Sequence, residues 1–135
     1  VFMGDLMKHI SIPVQIDFMK VSSYGAGTTS GNLKIKLDLQ RDDLDTTDIL
    51  IIEDIIDSGK TLSALTKYLA ERGAKSVRSC TLLDKPSRRE VEFTPDYTGR
   101  EIPDEFVIGY GLDYNEDYRA LPFVGILKRE VYEKN

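Results

Sequence analysis

The sequence predicts an α/β domain built on a mainly parallel sheet flanked by helices. Two observations carry this. The run Ile49-Leu50-Ile51-Ile52 is apolar without alternation, the mark of a strand covered on both faces, usually in a parallel sheet. Residues 61–72 then place Leu62, Leu65 and Leu69 on one helical face, Gly73 stops the helix, and "SVRSCTLLD" follows as a second strand. Strand, helix, strand in this span is a βαβ unit, so the two strands run parallel and the crossover is expected to be right-handed.

The other elements follow in order. "VFMGDLMKHI" has no cap and reads as a helix entered part-way, with Phe2, Leu6 and either His9 or Ile10 on one face. The chain is therefore expected to lack an N-terminal segment. Pro13 breaks into "VQIDFMKVSSY", where Val14, Ile16 and Phe18 alternate as in a strand. "GAGTTSG" at 25–31 is a flexible tip, and "LKIKLDL" alternates again, giving a hairpin-like excursion. "KPSRREVEFTPDYTGREIPD" is rich in proline and charge and reads as a surface excursion. "EFVIGYGLDY" reads as a strand ending in a glycine turn, and "LPFVGILKREVYEKN" as a short strand and a frayed end. No repeat or linker divides the chain, so one domain is expected over residues 1–135.

Composition narrows the class. At 135 residues the chain can bury a sizeable core, and a net charge of −5 argues against a general nucleic-acid binder. The single cysteine, Cys80, excludes an internal disulfide, fits a reducing compartment and reads as a buried structural thiol in its strand rather than a nucleophile. No stretch reads as a membrane span or a signal peptide, so a cytoplasmic protein is expected.

The chemistry concentrates in "ILIIEDIIDSGKTLSAL", residues 49–65. In open α/β sheets ligands sit at the carboxyl ends of strands. Here such an end feeds a helix N-terminus, whose free N–H groups and dipole favour an anion. Gly59 allows close backbone approach, and Ser58 and Thr61 add hydroxyls. On their own, Ser58 or Thr61 would more commonly be simple helix caps. A nucleotide-triphosphate loop fails, because its first glycine would fall on Asp54. The carboxylates Glu53, Asp54 and Asp57 would repel a polyphosphate, but ionised carboxylates accept hydrogen bonds from a diol. A ribose 5-phosphate derivative satisfies both halves: phosphate on the helix end, hydroxyls on Glu53 and Asp54.

"IIEDIIDSGKTL" resembles the phosphoribosyl-pyrophosphate-binding motif of the type I phosphoribosyltransferases, and its Glu-Asp pair resembles the hypoxanthine-guanine branch. "SSYG" at 22–25, "LLDKPSRR" at 82–89, "EFVIGYGLDY" at 105–114 and "YRALPFVGIL" at 118–127 extend the resemblance along the chain. It implies a type I phosphoribosyltransferase fold with a small hood, Mg²⁺, and purine salvage. Phosphoribosyl pyrophosphate and hypoxanthine or guanine would give IMP or GMP and pyrophosphate. The family usually forms homodimers or homotetramers. A rival on the same fold is a nucleotide-sensing regulator that binds RNA or DNA, and the acidic chain speaks against it.

The resemblance also implies roles. Asp57 is the acid/base near purine N7; the plain alternative is a partner for the helix dipole. Ser58, Gly59, Lys60 and Thr61 hold the 5′-phosphate. Lys85 donates to the purine 6-oxo group; by composition alone it would be a solvated surface lysine. Phe106 stacks on the base and Val107 reads its edge through the backbone, where a core strand is the commoner role for such residues. Glu53, Asp54 and Asp113 are the metal-associated carboxylates, and Arg119 contacts pyrophosphate. Ser23 and Tyr24 lie at the root of a mobile lid, although an ordinary hairpin tip reads the same way. The family's short pyrophosphate loop falls before residue 1.

Overall fold

The computed structural model describes residues 1–23 and 33–133. Its centre is the expected βαβ unit: β3 (Asp48–Ile56), α2 (Lys60–Glu71) and β4 (Ser76–Asp84), preceded by β1 (Lys20–Ser23) and β2 (Leu33–Leu37). β3 and β4 pair in parallel, Ile52 opposite Cys80 and Ile56 opposite Asp84. Leu62, Leu65 and Leu69 of α2 pack with Ile51 and Ile56 into the core, joined at its margin by Met19, Val21, Leu33 and Leu39. Gly73, with φ +93°, ends the helix region in a left-handed turn that glycine adopts without strain.

A third parallel strand, β5 (Tyr97–Glu101), extends the sheet to the order β3-β4-β5. The sequence shows no sign of it, because "YTGRE" is exposed throughout and held by backbone pairing to β4. β4, rather than the more apolar β3, is thus the central strand among the described residues. Leu50 of β3 accordingly stays 41% exposed.

Three expectations are corrected. The helix at the start, α1, spans only Phe2–Met7, so His9 and Ile10 lie beyond it. Val14, Ile16 and Phe18 form no strand, since pairing begins at Lys20 opposite Leu37. With no ladder partner among the described residues, their alternation buries nothing and all three stay exposed. The strand expected in "EFVIGYGLDY" shrinks to β6 (Val107–Ile108), paired antiparallel with β7 (Gly125–Ile126), and the tail ends in a short helix, α3 (Arg129–Tyr132). In the intervening turns Gly109, Tyr110 and Gly111 all have positive φ.

No helix among the described residues is long and apolar enough to cross a membrane. Cys80 is half-buried, and burial pushes its thiol pKa up, as suits a structural thiol.

Candidate active site at the carboxyl edge of the sheet

The parallel register brings the ends of β3 and β4 side by side. The Lys85 N–H donates to the Ile56 carbonyl at 3.0 Å, so the pairing carries one step past β4. Asp57 and Lys85, 28 residues apart in sequence, thereby become neighbours, with Lys85 Nζ 3.9 Å from Asp57 Oδ1. Lys85 is 8% exposed, which removes the solvated-lysine alternative, whereas the Asp57 side chain is half exposed.

Asp57, Ser58 and Gly59 form the turn into α2. Gly59 is the residue before the helix, at φ +82°, and has no side chain of its own to cap it. Of the two capping alternatives the structure bears out the one for Ser58 and not the one for Thr61. The Ser58 hydroxyl accepts from the Lys60 N–H at 3.2 Å, and the Thr61 hydroxyl donates to Ser23 Oγ at 3.0 Å, tying the helix to the end of β1. The Lys60 ammonium turns to Glu90, 3.6 Å away. A cleft of about 430 Å³ opens beside this turn, lined by Met19, Lys20, Glu53, Asp57, Ser58 and Thr61 among others.

A Cβ on Gly59 would lie 2.9 Å from Arg89 Cδ and 3.3 Å from Val91 Cγ2, besides forcing the left-handed backbone on a side chain. Gly59→Ala is expected to cost about 1–2 kcal/mol from the backbone conformation alone. Urea denaturation measures it, and an unchanged midpoint would mean that the turn relaxes freely.

Glu53 and Asp54 are consecutive in one strand, where side chains alternate between faces. Glu53 lines the cleft and Asp54 does not. Burial raises the Glu53 carboxyl above the ordinary range, and the Asp54 charge adds to it. The Tyr110 phenol is also raised, first by its hydrogen bond to Asp5, then by burial, with smaller effects from the charges of Asp5 and Asp54. A carboxyl raised in the fold contributes stability below the ordinary glutamate range and loses it as pH rises through the raised value. Glu53→Gln is neutral at every pH. It is therefore expected to melt higher than wild type near neutrality and to lose that advantage in acid; thermal midpoints that differ equally at both pH values would refute this.

The residues expected at the base and at pyrophosphate stand elsewhere. Phe106 is 37% exposed and packs against Tyr114 edge-on at 5.6 Å and Tyr132 at 5.1 Å. Val107 pairs with Ile126. Arg119 reaches the Gly111 carbonyl at 2.8 Å and pairs with Asp113 at 3.4 Å and Glu116 at 3.1 Å. Asp113 also accepts the Glu116 N–H at 2.8 Å. None of Phe106, Val107, Asp113 and Arg119 lines the cleft. Tyr24 and the expected lid, including Gly25, Gly27 and Gly31, lie outside the described residues.

Two residues at the site escaped the sequence reading. Asp84, at the end of β4, is buried and paired with Arg89 at 2.7 Å. Nothing in "SRRE" distinguishes Arg89 from its exposed neighbour Arg88, which pairs with Asp104 at 3.4 Å.

Residues 1–115 match the family model described as "Phosphoribosyl transferase domain". The hypoxanthine-guanine phosphoribosyltransferase of Bacillus subtilis (strain 168) is 56% identical over 133 residues, which cover 98% of this chain and 73% of that protein. The "Bifunctional protein TilS/HprT" of Listeria monocytogenes serotype 4b is 54% identical over 134 residues, 98% of this chain but only 20% of that protein. A hypoxanthine phosphoribosyltransferase crystal structure from Staphylococcus aureus superposes with a TM-score of 0.90 at 50% identity, over 98% of this chain and 72% of that one. The fold is thus that of the type I phosphoribosyltransferases, parallel strands flanked by helices. The chain belongs to the phosphoribosyl transferase family, in its hypoxanthine-guanine branch.

Proposed function

We propose that this chain is the phosphoribosyltransferase domain of a purine-salvage enzyme, moving 5-phosphoribosyl from phosphoribosyl pyrophosphate to N9 of hypoxanthine or guanine. The observation that carries it is the meeting of Asp57 and Lys85 beside the start of α2. One group suits a proton on the base, the other a carbonyl, and the helix end suits a phosphate. The C1′–O bond to pyrophosphate breaks as N9–C1′ forms, giving IMP or GMP, and the proton shed by the purine is held at N7 and taken by Asp57. Lys85 donates to the 6-oxo group. Ser58, Gly59, Lys60 and Thr61 bind the 5′-phosphate; the Lys60 ammonium is engaged by Glu90, and its N–H leaves the Ser58 hydroxyl for the ligand. Glu53, on the cleft face, accepts from the ribose hydroxyls, whereas Asp54, on the other face of β3, acts on it through its charge. Phe106 stacks on the base through the part of its ring left exposed, and Val107 reads the base edge. Arg119 leaves Asp113 and Glu116 for pyrophosphate. Ser23, whose hydroxyl accepts from Thr61, stands at the edge of the phosphate site.

The residues present fit Mg²⁺. Glu53 is half-buried next to Asp54, and a dication relieves that repulsion. Among the described residues no three acidic, His or Cys side chains gather into a cage, so substrate and water oxygens would complete the shell around Glu53, Asp54 or Asp113. Bound there, the ion would neutralise charge developing on pyrophosphate. A cytoplasmic homodimer or homotetramer completes the reading. The regulator alternative gains no support from the transferase names of the relatives.

The test is pyrophosphate release from phosphoribosyl pyrophosphate with hypoxanthine, guanine or adenine. Turnover with the 6-oxopurines is expected, and none with any base would overturn the reading.

A further inference from the structure

The Asp57–Gly59 turn is held from behind. Arg89 donates through Nη2 to the Asp84 carboxylate at 2.7 Å and through Nη1 to the Asp57 main-chain carbonyl at 2.8 Å. The side chains of Arg89 and Asp84 are 15% and 6% exposed. Just beyond, the N–H groups of Glu90 and Val91 both donate to the Ser58 carbonyl, at 2.9 and 3.4 Å. A planar trans peptide points its C=O and N–H in opposite directions. With the carbonyls of Asp57 and Ser58 drawn to residues 89–91, the N–H groups of Ser58 and Gly59 point away from that segment. Asp57, Ser58 and Gly59 line the cleft, whereas Arg89, Glu90 and Val91 do not.

We propose that Arg89 is a positioning residue: anchored on Asp84, its guanidinium holds the Asp57 carbonyl so that the Ser58 and Gly59 N–H groups face the phosphate of the ligand. This rests on the reading of the turn as a ribose-phosphate site. Arginine suits the task because its rigid fork reaches two acceptors at once, which the point charge of lysine does not. Arg88, exposed and paired with Asp104, is the built-in control.

Arg89→Ala would strand the buried Asp84 charge and endanger the fold. Arg89→Lys keeps the charge and loses the bridge. Its affinity for ribose 5-phosphate, read by calorimetry where circular dichroism shows the protein folded, is expected to fall roughly 10-fold or more, the scale of a lost charge-assisted hydrogen bond. The amide NMR shifts of Ser58 and Gly59 on ligand addition should shrink with it, and Arg88→Lys should behave as wild type. Arg89→Lys affinity equal to wild type, or a loss that disappears once the folded fraction is counted, overturns the proposal. A wild-type protein that binds ribose 5-phosphate but transfers nothing overturns the transferase reading alone; in that case the Arg89→Lys loss still supports the clamp. Wild type that binds no ribose 5-phosphate overturns both.

Discussion

Asp57→Asn is expected to cut phosphoribosyl transfer by about 10²–10⁴-fold, the usual share of a positioned acid/base, with ribose-phosphate binding nearly unchanged. The amide keeps the shape of the side chain and can still hydrogen-bond, but it cannot take a proton from the purine. The backbone of the turn should survive the change, because Arg89 and the Glu90 and Val91 N–H groups hold its carbonyls rather than the carboxylate. Steady-state kinetics alongside calorimetry of ribose 5-phosphate decide the matter. Binding and rate falling together would instead make Asp57 a partner for the dipole of α2.

Lys85 is expected to exclude adenine by about 10⁴–10⁵-fold relative to hypoxanthine, as sites built around one buried hydrogen bond reject an analogue that cannot make it. The ammonium has donors only, and adenine offers an amine where hypoxanthine offers a carbonyl. Burial of Lys85 sharpens the effect, since water cannot easily replace the missing acceptor. In Lys85→Gln the side-chain amide both donates and accepts. Hypoxanthine use should fall strongly and the preference over adenine should narrow. Wild-type kinetics and an unchanged ratio would remove Lys85 from the base site.

The β3-α2-β4 unit was legible in the sequence because its signals are local. The apolar run of β3, the spacing of Leu62, Leu65 and Leu69, and the stop at Gly73 are each read within a few residues, although of the run only Ile51 is buried. The turn from Asp57 to Thr61 was legible for the same reason, being contiguous. By itself the sequence also determined the family, which the 56% identical Bacillus subtilis protein and the match to the family model bear out.

Tertiary structure decided what depends on partners distant along the chain. The parallel register that sets Ile56 opposite Asp84 is what places Lys85 against Asp57, and no periodicity encodes it. β5 exists through backbone bonds to β4, which its exposed side chains do not advertise. Val14, Ile16 and Phe18 carry a strand pattern without a strand, because alternation needs a facing layer before it can bury anything. Arg88 and Arg89 are identical letters side by side. Only the three-dimensional placement of Asp84 and of the Asp57 carbonyl leaves one in solvent and sets the other behind the Asp57–Gly59 turn, because hydrogen bonds depend on distance in space and not on spacing in sequence.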